Sequence, residues 1–419
     1  MDEKLIWLWL SLHFGAGSTL YEKLYTHFGS AEAIFDSDDA DVESLDWLTS
    51  SQKRKLLDKN TEHAEEVMEW CDDNDVEVIA FSDENYPSPL KSLINFPAVL
   101  YCKGTLPDFE KELCIAVVGT RNMTVYGQKN AYELGFGLSK GGAVVVSGMA
   151  LGIDCTAQKG CLYAGGTTVA VLGSGIDVIY PKENTALFNK ILLNGAVVTE
   201  YPPHTPPIGT NFPIRNRIIS GLCSGTVVVE ADLNSGAMIT ARTTISQGRE
   251  LFAVPGPVRT FTSRGTNQLI REGAYVATDA VDIVEQFLDR YPDKISISGS
   301  KMRPVFNKTP RVASYWDSDK FYSVKADAKK EDNTEKSKSA VKKDKNEDAE
   351  KKFEEKRFDP SSLSPDERKL YDALDYEKPV TVDEMHVDGM SISDISATVT
   401  MLEIAGAIEA RPGGFYVKK

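Results

Sequence analysis

NFPIRNRIISGLCSGTVVVEADLNSGAMITARTT, residues 211–244, decides how this chain folds. At its centre Thr226, Val227, Val228, Val229 and Glu230 form a short β-branched run, the pattern of a strand buried on both faces. Before it, Pro213 is placed to open a helix that carries Arg215, Asn216 and Arg217 near its start. After it, Ser235-Gly236 opens a second helix, predicted over 237–247. Two helix starts flanking one buried strand favour an anion, because free N–H groups and the positive end of the helix dipole point outward there. Whose phosphate is bound does not follow from these residues alone.

Outward from this stretch the same alternation repeats. Apolar runs at 114–119, 143–148, 167–173, 196–200, 226–230 and 251–256 alternate with helical patterns near 126–140, 154–164, 184–194, 213–222, 237–247 and 264–272. Continuous apolar strands joined by crossover helices predict an α/β fold, an extended Rossmann-like parallel sheet covered on both faces. Ligands of such sheets sit at the carboxyl ends of the strands. Those ends carry Gly119, Thr120 and Arg121 after the first strand, Ser147 and Gly148 after the second, and Ser235 and Gly236 after the fifth. Glycine admits a phosphate close to the backbone, and hydroxyls add donors. The chain lacks a complete G-x-G-x-x-G after the first strand and any G-x-x-x-x-G-K-[ST], which argues against a dinucleotide enzyme and a P-loop hydrolase. Asp154, Glu200 and Glu230 admit acid/base chemistry, but Asp154 reads first as a helix N-cap, and no catalytic residue is assigned.

Charge sharpens the picture. The 419 residues carry a net charge of -15, yet the acidity is unevenly placed. Residues 1–75 hold 6 basic and 18 acidic side chains, whereas 114–290 hold 14 and 13. A near-neutral core leaves room for a local basic pocket and argues against a protein that coats DNA nonspecifically. The 6 cysteines form no C-x-x-C pair and no metal-ligand spacing with the 5 histidines, so neither a metal nor another cofactor is predicted. Scattered thiols point to a reducing compartment, the cytoplasm. The run LIWLWLSL at 5–12 lacks the flanks of a signal peptide and predicts a buried helix, and no stretch reaches a membrane span.

Residues 1–75 predict an all-helical domain of helix-hairpin-helix (SAM-like) type, with glycine turns at Gly15-Ala16-Gly17 and Phe28-Gly29. Such a turn either presents backbone N–H groups to a DNA phosphate or serves only to pack; the acidity of the segment favours packing. Residues 76–290 hold the core and a Pro-rich connector, and 291–360 predict a charged, disordered linker. Residues 361–419 read as a winged helix whose second long helix, 392–404, carries Asp394 and Glu403 and no basic residue. That favours protein docking over DNA reading.

The set VVGTRNMTVYG, SGMALGIDCTAQ, VLGSGIDVIYPKEN, TEYPPHTPP, FPIRNRIISGL, VVVEADLNSGAMITA, FAVPG and GTNQLIREGA closely resembles the DNA-processing protein A (DprA/Smf) family, in order and spacing from Ile115 to Ala274. The resemblance implies a single-stranded-DNA-binding recombination mediator that protects incoming DNA in natural transformation and loads the RecA recombinase. It further implies a homodimer without catalytic turnover. The family's G-S-R motif falls on Gly119, Thr120 and Arg121, with a hydroxyl kept at Thr120, and its F-x-x-R-N-R motif on Phe212, Arg215, Asn216 and Arg217. Some relatives place a lysine shortly before the phenylalanine; here 206–211 has none, which leaves Arg121, Arg215 and Arg217 to supply most of the charge. Phe212 either stacks on a base or staples the helix entrance, and the resemblance favours stacking. Two other classes stay in view. A nucleotide-processing Rossmann enzyme would show P-G-G-x-G-T-x-x-E, which is missing, and a winged-helix regulator of duplex DNA would need basic residues on 392–404.

Overall fold

A computed structural model of the chain describes residues 2–304 and, towards the C-terminus, 365–375 with shorter pieces between 380 and 418. Nine strands form its main sheet: β1 (Glu77–Ala80), β2 (Val99–Gly104), β3 (Cys114–Val118), β4 (Val144–Ser147), β5 (Thr168–Val171), β6 (Gly195–Thr199), β7 (Gly225–Val228), β8 (Glu250–Ala253) and β9 (Tyr275–Val276). Their order is β1-β2-β6-β5-β4-β3-β7-β8-β9. From β6 to β9 every neighbouring pair is parallel. Every residue of β3, β4, β5, β6 and β7 is buried, which is why these strands read as unbroken apolar runs. The chain fills the sheet from β3 towards β6, then returns to the other side of β3 with β7. Connections therefore leave β3 and β7 in opposite directions, and a crevice opens beyond their carboxyl ends.

The connector does more than connect. β1 and β2 join the sheet antiparallel, β2 pairing with β6. Their short runs are split by Pro87, Pro89 and Pro97, which hides them from a periodicity reading. Against them packs the helix Glu3–Phe14, which buries Ile6, Trp7, Leu8, Trp9 and Leu10 as the sequence predicts. The Trp7 ring lies 5.2 Å from Phe81 and 6.0 Å from Phe96, both between β1 and β2. One apolar cluster runs from the helical head through β2 into β5 and β6. The expected boundary at 75/76 is thus no break in packing: the helical head and the sheet belong to one compact unit.

Tyr291 and Ile295 are buried in the cluster that holds Ile115 and Phe252, and the Tyr291 hydroxyl meets Ser224 Oγ at 2.9 Å. A short helix, Ile297–Ser300, follows. The folded core extends beyond 290 because these few apolar groups find a ready groove. The rest of the predicted linker, 305–360, lies outside the described residues, as does most of 392–404.

The C-terminal unit has its own core, including Leu370, Tyr371, Ile395, Val399, Leu402 and Ile408. Its helix Pro365–Ala373 precedes a three-stranded sheet of β10 (Val380–Thr381), β11 (Ile408–Arg411) and β12 (Phe415–Lys418) in the order β10-β12-β11. The β11–β12 hairpin is the wing of a winged helix, paired from Ile408 with Lys418 to Arg411 with Phe415. Among the described residues no helix is long and apolar enough to cross a membrane.

Candidate nucleic-acid interface

The crevice at the ends of β3 and β7 is a cleft of about 500 Å³. Eight of the candidate residues line it: Gly119, Thr120, Arg121, Phe212, Arg215, Asn216, Ser235 and Gly236. Gly119 is required by packing, since a β-carbon there would lie 2.5 Å from Ile153 Cγ1. Thr120 follows with its N–H donated to the Glu230 carbonyl at 2.8 Å. Across the cleft the helix Gly236–Ser246 begins with Ser235, whose side chain makes no capping bond and whose hydroxyl is buried without a partner among the described residues. An uncapped helix start facing a cleft is suited to a phosphate.

The arginines divide. Arg121 is exposed, and its guanidinium sits 5.1 Å from the Phe212 ring centroid. Among the described residues it has no carboxylate partner. Arg215, also over Phe212 at 5.8 Å, is 3% exposed and lies on the cleft wall. Its Nη1 donates to the carbonyls of Gly148 and Val171. Burial pulls this guanidinium down to about 10, with the Asp154 carboxylate opposing the shift, so it keeps its charge at neutral pH. Arg217 is not in the cleft. It is 4% exposed and paired with Glu200. Two residues along an α-helix turn the side chain by about 200°, so Arg215 and Arg217 face opposite ways. Of the three arginines expected together, Arg121 and Arg215 line the cleft and Arg217 does not.

Ser147 and Gly148 also stand outside the lining, because their donors are consumed within the fold. Ser147 Oγ donates to the Val117 carbonyl at 2.6 Å, and the Gly148 N–H donates to Asp154 Oδ2 at 3.1 Å. Gly148 is glycine because a β-carbon would lie 2.6 Å from Arg215 Nη1. Asp154 is not an N-cap. The helix Ile153–Tyr163 is capped at Gly152, and Asp154 sits in its first turn on the floor of the cleft. Burial raises its carboxyl, while Arg215 and the Gly148 N–H pull the other way.

The remaining carboxylates are fully engaged. Glu230 accepts from the Thr124 N–H at 2.9 Å, the Thr124 hydroxyl at 2.6 Å and the Thr262 hydroxyl at 3.2 Å. Glu200 accepts from Gly17 and Arg217. Such saturation suits loop anchoring better than proton transfer. Among the described residues no group of His, Cys, Asp and Glu is placed to hold a metal ion. The cleft also contains a residue the motif reading did not single out, Tyr180. Its signal lay in the sequence, as an aromatic before Pro181 and just after the glycine loop Gly173-Ser174-Gly175.

Fold and cleft define a Rossmann-like protein with an open cleft at its topological switch point. Residues 77–288 match the family model described as DNA recombination-mediator protein A, and 354–414 match the DprA winged helix domain. The chain is 40% identical over 215 residues to DNA processing protein DprA of Bacillus subtilis, covering 51% of this chain and 72% of that protein. Protein Smf of Synechocystis is 29% identical over 429 residues, covering 100% of this chain and 99% of its own. The X-ray structure of DNA processing protein A from Streptococcus pneumoniae superposes with a TM-score of 0.59 at 30% identity, over 68% of this chain and 98% of that one. The chain belongs to the DNA recombination-mediator protein A family.

Proposed function

We propose that this protein binds single-stranded DNA in the switch-point cleft and acts as a recombination mediator without catalytic turnover. Arg121 carries the reading: an exposed guanidinium without a carboxylate partner among the described residues, beside an aromatic ring and opposite a helix start without a side-chain cap. Cation, ring and helix start together accommodate a phosphate with its base, and a ring is indifferent to which base it meets. The names of the family and of its relatives, a DNA recombination mediator and a DNA processing protein, support DNA as what is bound. In this reading the protein protects incoming strands in natural transformation, hands them to the RecA recombinase and works as a homodimer.

The test compares binding of single-stranded DNA, duplex DNA and a mononucleotide by the full chain over a series of salt concentrations. Single strands should bind tightest. Arg121→Glu should weaken that binding and flatten its log–log salt dependence by about 0.7 for each phosphate no longer neutralised. A mononucleotide that binds as tightly as an oligonucleotide would point instead to a nucleotide enzyme, and unchanged affinity and slope in Arg121→Glu would overturn the cleft assignment. The mediator step is read separately, as faster RecA filament nucleation on single-stranded DNA when the protein is present. No acceleration would remove that step.

A further inference from the structure

Two aromatic side chains line the cleft, and they are not equivalent. Phe212 is half-buried, with its ring edge against Gly173, where a β-carbon would lie 2.9 Å from Phe212 Cδ1. The guanidinium groups of Arg121 and Arg215 also sit over its ring. Tyr180 stands outside this arrangement. It is 41% exposed, and its ring centroid lies 5.7 Å from that of Phe212 with the planes tilted by 41°.

The backbone on both sides of Tyr180 is tied down. Ser174 Oγ donates to the Val178 carbonyl at 2.8 Å, and buried Asn184 donates through Nδ2 to the Met149 carbonyl at 2.8 Å. The first bond closes the loop after β5 on itself, and the second fastens its far end to the loop after β4. A large ring held in place yet left in water gains little for stability. A ring carried on a fastened backbone and resting against Phe212 is, however, suited to be a stacking platform, because part of its ordering cost is met on folding.

We infer that Tyr180, rather than Phe212, is the residue on which a base of the bound strand stacks. Tyr180, Phe212 and Arg121 form a continuous row of ring, ring and guanidinium. The base lies on Tyr180 and the phosphate meets Arg121, while Phe212 is the support that holds Arg121 in position. This inference rests on the proposal that the cleft binds single-stranded DNA.

The experiment uses the full chain and a single-stranded oligothymidylate carrying one 2-aminopurine, whose fluorescence falls when its base stacks. The unaltered protein should bind the oligonucleotide and quench it. Tyr180→Ala should weaken binding about tenfold or more and abolish the quench, with an unchanged salt slope because every phosphate stays engaged. Tyr180→Phe should keep both affinity and quench, and Phe212→Ala should keep the quench at saturating protein. The ring is exposed, so the melting temperature of Tyr180→Ala should match that of the unaltered protein, which separates stacking from folding. Wild-type affinity and quenching in Tyr180→Ala overturn the inference and leave single-strand binding standing. An unaltered protein that binds no oligonucleotide overturns both.

Discussion

The backbone N–H of Gly17, in the helical head, donates to Glu200 Oε1 at 3.1 Å at the end of β6. The other carboxylate oxygen of Glu200 accepts from Arg217, on the helix Asn211–Gly221 that walls the cleft. Gly17 has a φ of +74°, and a β-carbon there would lie 2.7 Å from Ile214 Cγ2 on that same helix. The glycine turn that by sequence either binds a phosphate or packs is therefore occupied by the protein's own carboxylate. The head supports the cleft helix from behind.

Glu200→Ala should be strongly destabilising. It leaves the Arg217 guanidinium buried without its counter-charge, a loss that costs about 3–5 kcal/mol in comparable pairs. Thermal denaturation reads it directly. A melting temperature within a degree of the unaltered protein would mean that the pair contributes nothing. Gly17→Ala should also lower it, through the strained φ and the contact with Ile214.

Phe212→Ala removes a half-buried ring beneath two guanidinium groups. Its melting temperature should fall, and single-strand affinity should fall with it because Arg121 loses its support. A variant with full stability and impaired affinity would instead assign Phe212 itself as the stacking residue.

Truncation after Pro360 removes the winged helix, whose core is built from its own residues. The cleft lies wholly in the N-terminal unit, so the shortened chain should bind single-stranded DNA with the affinity of the full one. Binding abolished in a shortened chain that still melts cooperatively would make the winged helix a DNA reader.

All six cysteines are buried, and burial pushes the thiols of Cys71, Cys102 and Cys161 up to about 12. In the folded protein they should resist thiol reagents at neutral pH and react only on unfolding. An unfolded thiol releases its proton near 8.5, so above that value the unfolded chain binds fewer protons than the folded one. The stability these thiols contribute is complete below about 8.5 and falls away as pH rises towards 12. A urea midpoint that stays flat from pH 8 to 10 would contradict this.

The strands of the parallel core and the crossover helices between them are legible from local pattern. Runs such as Thr226–Val228 are too apolar and β-branched to sit anywhere but inside a two-faced sheet. Glycine after β3 and Ser235-Gly236 after β7 marked the cleft for the same local reason: an anion needs close backbone and free N–H groups. Which side chains reach that cleft is a different matter. Helical geometry alone implies that Arg215 and Arg217 diverge, but which of them meets the cleft depends on where Glu200 lies, and Glu200 ends a different strand. The burial of Tyr291 and the exposure of Tyr180 follow likewise from what happens to be packed beside each ring. Local patterns report what a segment prefers, whereas pairing, burial and direction belong to contacts between segments far apart in the chain.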